Sequence, residues 1–202
     1  MKKLIIVVVL FSLVLAGCSK PARSPEGKTE AAALEPYDSL YLSLKASLQS
    51  GNHHQALGAI KSMKEAIWDQ APLALENARF VKNDNNSYGI YEPEEDYIFS
   101  YGEPIYLYIE PTGFTIIKNE AGYYEFGFLA DFQLADENGE ILGGQQNFAR
   151  LPFKSWNRNT EIALTFTFNF RRLESGKYKI IITISDMYSK KKATSENWFM
   201  MR

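Results

Sequence analysis

Two histidines, His53 and His54, are the side chains of this sequence best suited to proton transfer near neutral pH. They are adjacent, so on a helix they point about 100° apart. That geometry suits neither a shared metal ion nor a catalytic pair on one face. The sequence also contains no Gly-x-Ser-x-Gly nucleophile elbow that a histidine could serve. From these residues we predict no catalytic group, no metal site and no cofactor.

Carboxylate pairs are the second kind of group that could carry out chemistry. Glycoside hydrolysis uses two carboxyl groups about 5 to 10 Å apart. Four acids lie in predicted strands or turns: Glu103, Glu110, Glu125 and Asp131. Their separations do not follow from the sequence, so hydrolysis by an acidic pair is kept as an alternative function.

An acidic loop runs from Glu92 to Asp96, close to a polar stretch at residues 84–86. Calcium binds clustered carboxylate and amide oxygens of this kind. The spacing matches no EF-hand, however, and charged runs in loops are commonly solvated. The sequence leaves calcium binding by this loop open.

Tyrosines are concentrated in one part of the chain, with eight of them between residues 88 and 124. The strand predicted near residues 105–109 is apolar on both faces, so rings on its outer face must be covered by something. One account is internal packing against the rest of the fold. The other is a recognition surface, because tyrosine offers contact area and a hydroxyl at little entropic cost. We predict a binding surface made of Tyr91, Tyr97, Tyr101, Tyr106 and Tyr108.

Composition limits the function classes. A chain of 202 residues with 46% hydrophobic residues accommodates one ordinary domain plus a smaller element. The formal net charge is -2, and the densest basic run is Lys190–Lys192, which argues against a nucleic-acid partner. Cys18 is the only cysteine, so no internal disulfide and no thiolate metal site can form.

The first residues have the three parts of an export signal: basic Lys2 and Lys3, an apolar run to Leu15, and a small pair before Cys18. That run is too short to span a bilayer, which takes about 20 apolar residues. Leu15-Ala16-Gly17-Cys18 resembles the lipobox of bacterial lipoprotein precursors. The resemblance implies cleavage after residue 17, a signal peptide at residues 1–17 and lipidation of Cys18.

Lipid on Cys18 would hold the protein at a membrane, because each buried methylene contributes roughly 0.8 kcal/mol and several chains make release negligible. The residue after the cysteine is Ser19 rather than Asp. By resemblance to lipoproteins of diderm bacteria, this implies the periplasmic face of the outer membrane, if the organism has one. We therefore expect a cell-envelope location and a membrane partner bound through the N-terminal lipid.

The mature chain begins with a polar stretch, residues 18–34, that we predict to be a flexible tether. Residues 35–76 then show apolar residues at spacings of three and four, typical of two helices. Gly51 suits the end of the first helix and Asn52 the start of the second, so the segment is predicted to be a helical hairpin. The turn resembles that of tetratricopeptide-type hairpins, but only one unit is present. An assembly role is favoured if the apolar stripe of the hairpin is exposed.

Residues 77–202 alternate between apolar and polar positions, which is typical of strands. Asn138-Gly139 between two apolar runs predicts a β-hairpin. We predict strands at Arg79–Lys82, Pro104–Glu110, Tyr123–Ala135, Ile141–Arg150, Glu161–Arg171, Lys177–Asp186 and Thr194–Met201.

The phrase from Leu173 to Asp186 resembles the entry to a late strand of secreted immunoglobulin-like domains, and Gly102–Pro111 resembles a run in uncharacterised secreted bacterial proteins. The predicted fold class is therefore mainly β, an antiparallel immunoglobulin-like β-sandwich preceded by an N-terminal α-helical hairpin. The predicted function is a membrane-anchored, non-enzymatic binding or scaffolding module of the cell envelope with a protein or glycan partner. The alternative is an envelope polymer hydrolase that uses an acidic residue pair.

Overall fold

The computed structural model describes residues 26–171 and 173–202. The described part is mainly β, with two helices before the strands. The helices are α1 (Glu26–Gln49) and α2 (His53–Gln70). The strands are β1 (Ala74–Val81), β2 (Ile98–Phe99), β3 (Ile105–Thr112), β4 (Ile117–Lys118), β5 (Tyr124–Asp136), β6 (Ile141–Ser155), β7 (Leu164–Phe168), β8 (Gly176–Asp186) and β9 (Lys192–Met201).

The predicted helical hairpin is present, and its turn forms as the sequence indicates. Gly51 has φ +70°, and the side-chain oxygen of Asn52 accepts the backbone N–H of Gln55 at 3.1 Å. The first helix begins at Glu26, before the predicted boundary at residue 35, so part of the predicted tether is helical. The predicted signal peptide, the lipidated Cys18 and residues 18–25 of the tether lie outside the described residues.

Small side chains form the contact between the two helices. Ser47, Ala56 and Ala59 are buried there, which lets the helix backbones approach closely. Larger apolar residues consequently point outward, as Tyr41 and Leu57 do. Neither α1 nor α2 is long and apolar enough to cross a membrane.

The strands form two sheets. One has the order β1-β3-β7, and the other has the order β2-β9-β8-β5-β4 with β6 on the free edge of β5. Neighbouring strands are antiparallel except for β2, which pairs parallel with β9. The prediction of purely antiparallel sheets was therefore wrong at this edge, where a two-residue strand is too short to show a pattern in the sequence.

Both sheets contribute to one hydrophobic core. Strand β7 alternates as predicted, with Leu164, Phe166 and Phe168 buried and the threonines between them more exposed. Phe166 lies opposite Leu107 in the ladder between β3 and β7. The cluster also contains residues of the larger sheet, among them Phe126, Phe128, Ile180, Ile182, Ile184 and Phe199.

The predicted hairpin between β5 and β6 is confirmed. Gly139 has φ +86°, which glycine adopts without strain. The carboxylate of Asp136 accepts the backbone N–H of Asn138 at 2.9 Å and of Glu140 at 2.8 Å. The carboxylate thus holds the turn that sets the register of two long strands.

The end of α2 is attached to the β-sheets. The indole N–H of Trp68 donates to the backbone oxygen of Phe114 at 2.8 Å, and the two rings meet edge to face with centroids 5.1 Å apart. Arg158 forms an ion pair with Asp69. Lys191 donates to the backbone oxygen of Gly113 at 2.7 Å. These contacts fix the root of the hairpin and leave most of its length to solvent.

Candidate functional site

A buried polar cluster lies on the outer face of β3. Tyr108 and Glu110 are two residues apart, so both side chains leave the same face of the strand. The Tyr108 hydroxyl donates to the Glu110 carboxylate at 2.5 Å, and the Asn77 amide donates to the other carboxylate oxygen at 2.6 Å. Asn77 has φ +51° at a bulge in β1, a conformation that asparagine tolerates better than most residues. The bulge therefore aims the amide at the carboxylate.

The loop between β1 and β2 closes this cluster. The backbone N–H of Gly89 lies 2.9 Å from the Tyr108 hydroxyl oxygen and 3.2 Å from a Glu110 oxygen, and it donates to both. Burial alone would raise the pKa of Glu110, but the hydrogen bonds from Tyr108, Asn77 and Gly89 outweigh it and lower that pKa below its usual value. Burial, followed by the bond to Glu110, raises the pKa of Tyr108. The Glu110 carboxylate is therefore ionised, and its role is to accept the three hydrogen bonds that hold the cluster together.

The five tyrosines of the predicted binding surface do not lie together on one exposed face. Tyr108 is fully buried, so its ring belongs to the interior and not to a surface. Tyr91 packs on Tyr108 with ring centroids 4.4 Å apart. Tyr97 packs edge to face on Phe80 at 5.0 Å.

The remaining two tyrosines of that set are more accessible. Tyr106 is half-buried on β3. Tyr101 is 67% exposed, and its hydroxyl donates to the backbone oxygen of Arg171. The loop between β1 and β2 covers the Tyr108 ring through Gly89 and Tyr91, which explains how an aromatic residue on the outer face of β3 is buried. Of the five, Tyr101 is the ring that a partner would reach most easily.

The candidate acids are also dispersed. Glu125 and Asp131 lie six residues apart on β5, which corresponds to about 20 Å along a strand. Asp131 accepts the backbone N–H of Asn147 at 2.6 Å and so supports a bulge in β6. Glu103 accepts the backbone N–H of Ser100 at 2.8 Å. Asp131 and Glu103 each hold a backbone N–H, and Glu125 lies too far from Asp131 to form a glycosidase pair with it.

The acidic loop and the histidines are at the surface. Glu92 forms an exposed ion pair with Lys82 at 2.7 Å. Within residues 26–171 and 173–202, no group of three or more His, Cys, Asp or Glu side chains is arranged to hold a metal ion. His53 and His54 are exposed at the first turn of α2. Neither the acidic loop nor the histidine pair therefore forms a metal site with the other candidate acids among these residues.

Four residues near the start of β5 and the end of β6 line a cleft that we call the aromatic cleft: Tyr123, Lys154, Ser155 and Trp156. Its volume is about 240 Å³. Trp156 is 77% exposed, and its ring meets that of Tyr123 at 6.0 Å and an interplanar angle of 82°. The start of β5 pairs with the end of β6, where Tyr124 lies opposite Ser155. This pairing places the two aromatic residues side by side although they are distant in sequence.

Polar groups surround the aromatic cleft. The ammonium of Lys154 donates to the Tyr123 hydroxyl at 3.1 Å and lies 4.8 Å from the centre of its ring. The hydrogen bond to Tyr123 raises the pKa of Lys154 above its usual value. Glu125 lies 3.9 Å from that ammonium and accepts the amide of Asn119 at 3.2 Å. The site thus combines two aromatic surfaces with a cation, a carboxylate and an amide.

Trp156 was not among the residues identified from the sequence. It stands in a polar loop, Ser155-Trp156-Asn157-Arg158-Asn159, where a large aromatic residue has no neighbour of its kind. A lone tryptophan in a polar loop was the sequence feature that could have indicated an exposed binding residue. Its meeting with Tyr123 depends on the pairing of β5 with β6 and could not be read from local sequence.

Comparison with known proteins adds little. No protein-family model matches the chain, and no curated protein matches it in sequence. Among solved structures, the alkylpurine DNA glycosylase AlkC of Pseudomonas fluorescens, bound to DNA containing an abasic site analog, aligns with a TM-score of 0.34 and 9% sequence identity. The alignment covers 83% of this chain and 44% of that chain, so this chain spans less than half the length of the glycosylase. A likeness at this level carries no argument about fold, ligand or activity.

Proposed function

We propose that the protein is a lipid-anchored lipoprotein of the cell envelope that acts as a non-enzymatic binding or scaffolding module. The support for the anchor is the signal-like leader and the lipobox ending at Cys18. The support for binding is the aromatic cleft, the observation on which this proposal depends most. An exposed tryptophan beside a tyrosine, with polar groups at hand, is a composition typical of recognition sites.

The binding module is proposed to be an immunoglobulin-like β-sandwich. Two observations support this finer assignment. Residues from both sheets share one core. At the entry to β8, the Tyr178 hydroxyl donates to the backbone oxygen of Glu174 at 3.0 Å, which resembles the tyrosine corner of such domains.

The chemistry of the aromatic cleft suits an envelope protein or glycan. The face of Trp156 offers stacking area for a sugar ring or an apolar side chain. Lys154, Glu125 and Asn119 supply a cation and hydrogen-bonding groups beside it. Because Trp156 packs little against the rest of the chain, its ring is available to a partner without rearrangement of the core.

Replacing Trp156 by alanine is expected to reduce partner capture about tenfold or more, the equivalent of roughly 1.4 kcal/mol of lost contact. A photo-crosslinking residue at exposed Asn157 would report envelope proteins in intact cells, and co-sedimentation with isolated cell-wall polymer would report glycans. Adducts or sedimentation should fall in the Trp156→Ala variant.

Trp198→Ala is the matched control. Trp198 is also a partly exposed tryptophan, but it lies on β9 between Lys177 and Lys179, whose ammonium groups are 4.8 and 4.9 Å from its ring centre. This variant should retain capture. Equal capture by the native protein and both variants would exclude the aromatic cleft as the binding site.

The envelope hydrolase remains the alternative, and the geometry favours it less. Glu110 is enclosed by three donors, and its pKa lies below the usual value, the opposite of what a general acid requires. Glu125 and Asp131 are separated by about twice the distance that a glycosidase pair spans. Release of soluble fragments from cell-wall polymer, abolished by Glu125→Gln, would reverse this preference.

The anchor has its own test. Mass spectrometry of protein purified from its native membranes should show an N-terminus at Cys18 carrying fatty acyl chains, and Cys18→Ser should release the protein from the membrane fraction. A preparation that retains residues 1–17, or that carries a free thiol at position 18, would contradict the lipoprotein assignment and the proposed outer-membrane location.

A further inference from the structure

Helix α2 has an exposed apolar face that nothing in the described chain covers. Leu57, Ile60 and Ile67 recur at spacings of three and seven, which places them on one side of the helix. They are 65%, 49% and 52% exposed. A natural surface rarely leaves such a stripe of large side chains in water without a partner.

The same face borders a groove against the β-sheets. Its volume is about 380 Å³, and its lining is almost entirely apolar. Ile60, Lys64 and Ile67 of the stripe line it on the helix side, and Thr112 and Gly113 line it on the side of the sheets. Helix α1 adds the exposed Tyr41, Leu42 and Leu48 to the hairpin. Both helices of the hairpin therefore carry exposed apolar side chains.

Two lysines lie on or beside this face, whereas the acids of the helix, Glu65 and Asp69, lie farther around it. Lys64 lies between Ile60 and Ile67 in the stripe, and Lys61 follows Leu57 by one turn. Neither ammonium forms an ion pair with any residue in the part of the chain that the structure describes. A two-fold contact with a second copy through this stripe would bring lysines of the same face toward one another, which is unfavourable. An anionic lipid surface would attract them.

The distance to the proposed anchor is short. Eight residue steps separate Cys18 from Glu26, where α1 begins, and an extended chain of that length spans at most about 28 Å. A lipid on Cys18 would therefore hold the hairpin close to the bilayer surface. The high local concentration of lipid makes even a modest affinity of the hairpin effective.

We propose that the exposed face of α2, defined by Leu57, Ile60, Lys64 and Ile67, docks on the anionic lipid surface of the membrane that holds the N-terminal anchor. This inference rests on the proposed lipid anchor. Apolar side chains enter the interface between headgroups and acyl chains, while Lys61 and Lys64 lie at the level of the phosphates. Docking gives the β-sheets a fixed orientation relative to the membrane instead of free rotation on a tether.

The test uses the acylated full-length protein in vesicles of phosphatidylethanolamine and phosphatidylglycerol. Because Cys18 is blocked by lipid, a second cysteine at position 60 is the single site for an environment-sensitive fluorophore. The Ile60→Cys label should shift to shorter wavelength and be quenched by brominated acyl chains. The Ser62→Cys label is the matched control, since Ser62 is exposed about 200° around the helix, and it should show neither change.

Charge reversal gives a second readout. In the Lys61→Glu, Lys64→Glu background, quenching of the label at position 60 should fall severalfold on these vesicles, because an anionic surface attracts lysine and repels glutamate. Absence of quenching at position 60, with Cys18 shown by mass to be acylated, would overturn lipid docking alone. A wavelength shift without quenching that grows with protein density would assign the face to a second copy and would also overturn it. An unmodified Cys18 would overturn the proposed anchor together with this inference.

Discussion

Replacing Glu110 by alanine is expected to lower the free energy of unfolding by about 2 to 4 kcal/mol. The carboxylate is the acceptor for Tyr108, Asn77 and Gly89, and its loss leaves the buried Tyr108 hydroxyl without its 2.5 Å acceptor and breaks the link from Tyr108 to Asn77 and to the loop at Gly89. The loop between β1 and β2 should become mobile at the same time. Urea titration followed by circular dichroism measures the stability, and amide exchange at Gly89 reports the loop.

The matched control is Glu92→Ala in the same loop. Glu92 forms an exposed ion pair with Lys82, which contributes little, so its removal should lower the stability far less than Glu110→Ala does. Equal losses in the two variants would show that the buried cluster does not hold the loop.

The effect of Glu110 should depend on pH in a defined direction. Its pKa is lower in the folded protein than the ordinary value of 4.5, so its stabilisation is present above that value and is lost as pH falls through the folded pKa. The difference in stability between the native protein and Glu110→Ala should therefore be constant near neutrality and shrink below about pH 4.5. A difference that grows on acidification would contradict this assignment.

Replacing Gly113 by alanine is expected to destabilise the protein by about 3 kcal/mol or more. Its φ is +70°, and a Cβ at this position would lie 2.1 Å from the backbone oxygen of Pro72. The new methyl group must therefore push the end of α2 away from β3. Chemical denaturation measures the loss, and Trp68 fluorescence should move to longer wavelength as its ring leaves Phe114.

Gly102→Ala separates strain from collision. Gly102 has φ +78°, but nothing lies within 4 Å of a Cβ placed there. Its replacement should cost only the left-handed conformation, about 1 to 2 kcal/mol. If both variants lost the same stability, the close contact between Gly113 and Pro72 would not be a constraint on the hairpin.

Features set by neighbouring residues were predictable. The turn at Gly51 and Asn52 follows from the preference of glycine for positive φ and of asparagine for helix starts. The β5–β6 hairpin follows from Asn138-Gly139, and the alternation of β7 appears in its phenylalanines. These features depend on interactions within a few residues, which composition and spacing already contain.

The candidate sites were not predictable in the same way. Tyr108 and Tyr101 belong to one tyrosine-rich stretch, yet one ring is fully buried beneath a loop and the other is exposed. Nothing in their spacing distinguishes them, because the covering loop reaches Tyr108 through Gly89. Trp156 likewise becomes part of a cleft only because β6 returns alongside β5.

By itself, the sequence determined the mainly β composition, the helical hairpin and its turn, and the leader pattern from which lipidation is proposed. The tertiary structure decided which tyrosines are buried, that Glu110 is a structural carboxylate, and where apolar side chains of α2 meet solvent. The physical reason is the distance along the chain over which each interaction acts. Backbone preferences and periodicity act between residues close in sequence, whereas burial and hydrogen-bond partners depend on which distant strands pack together, and these contacts form only in the complete fold.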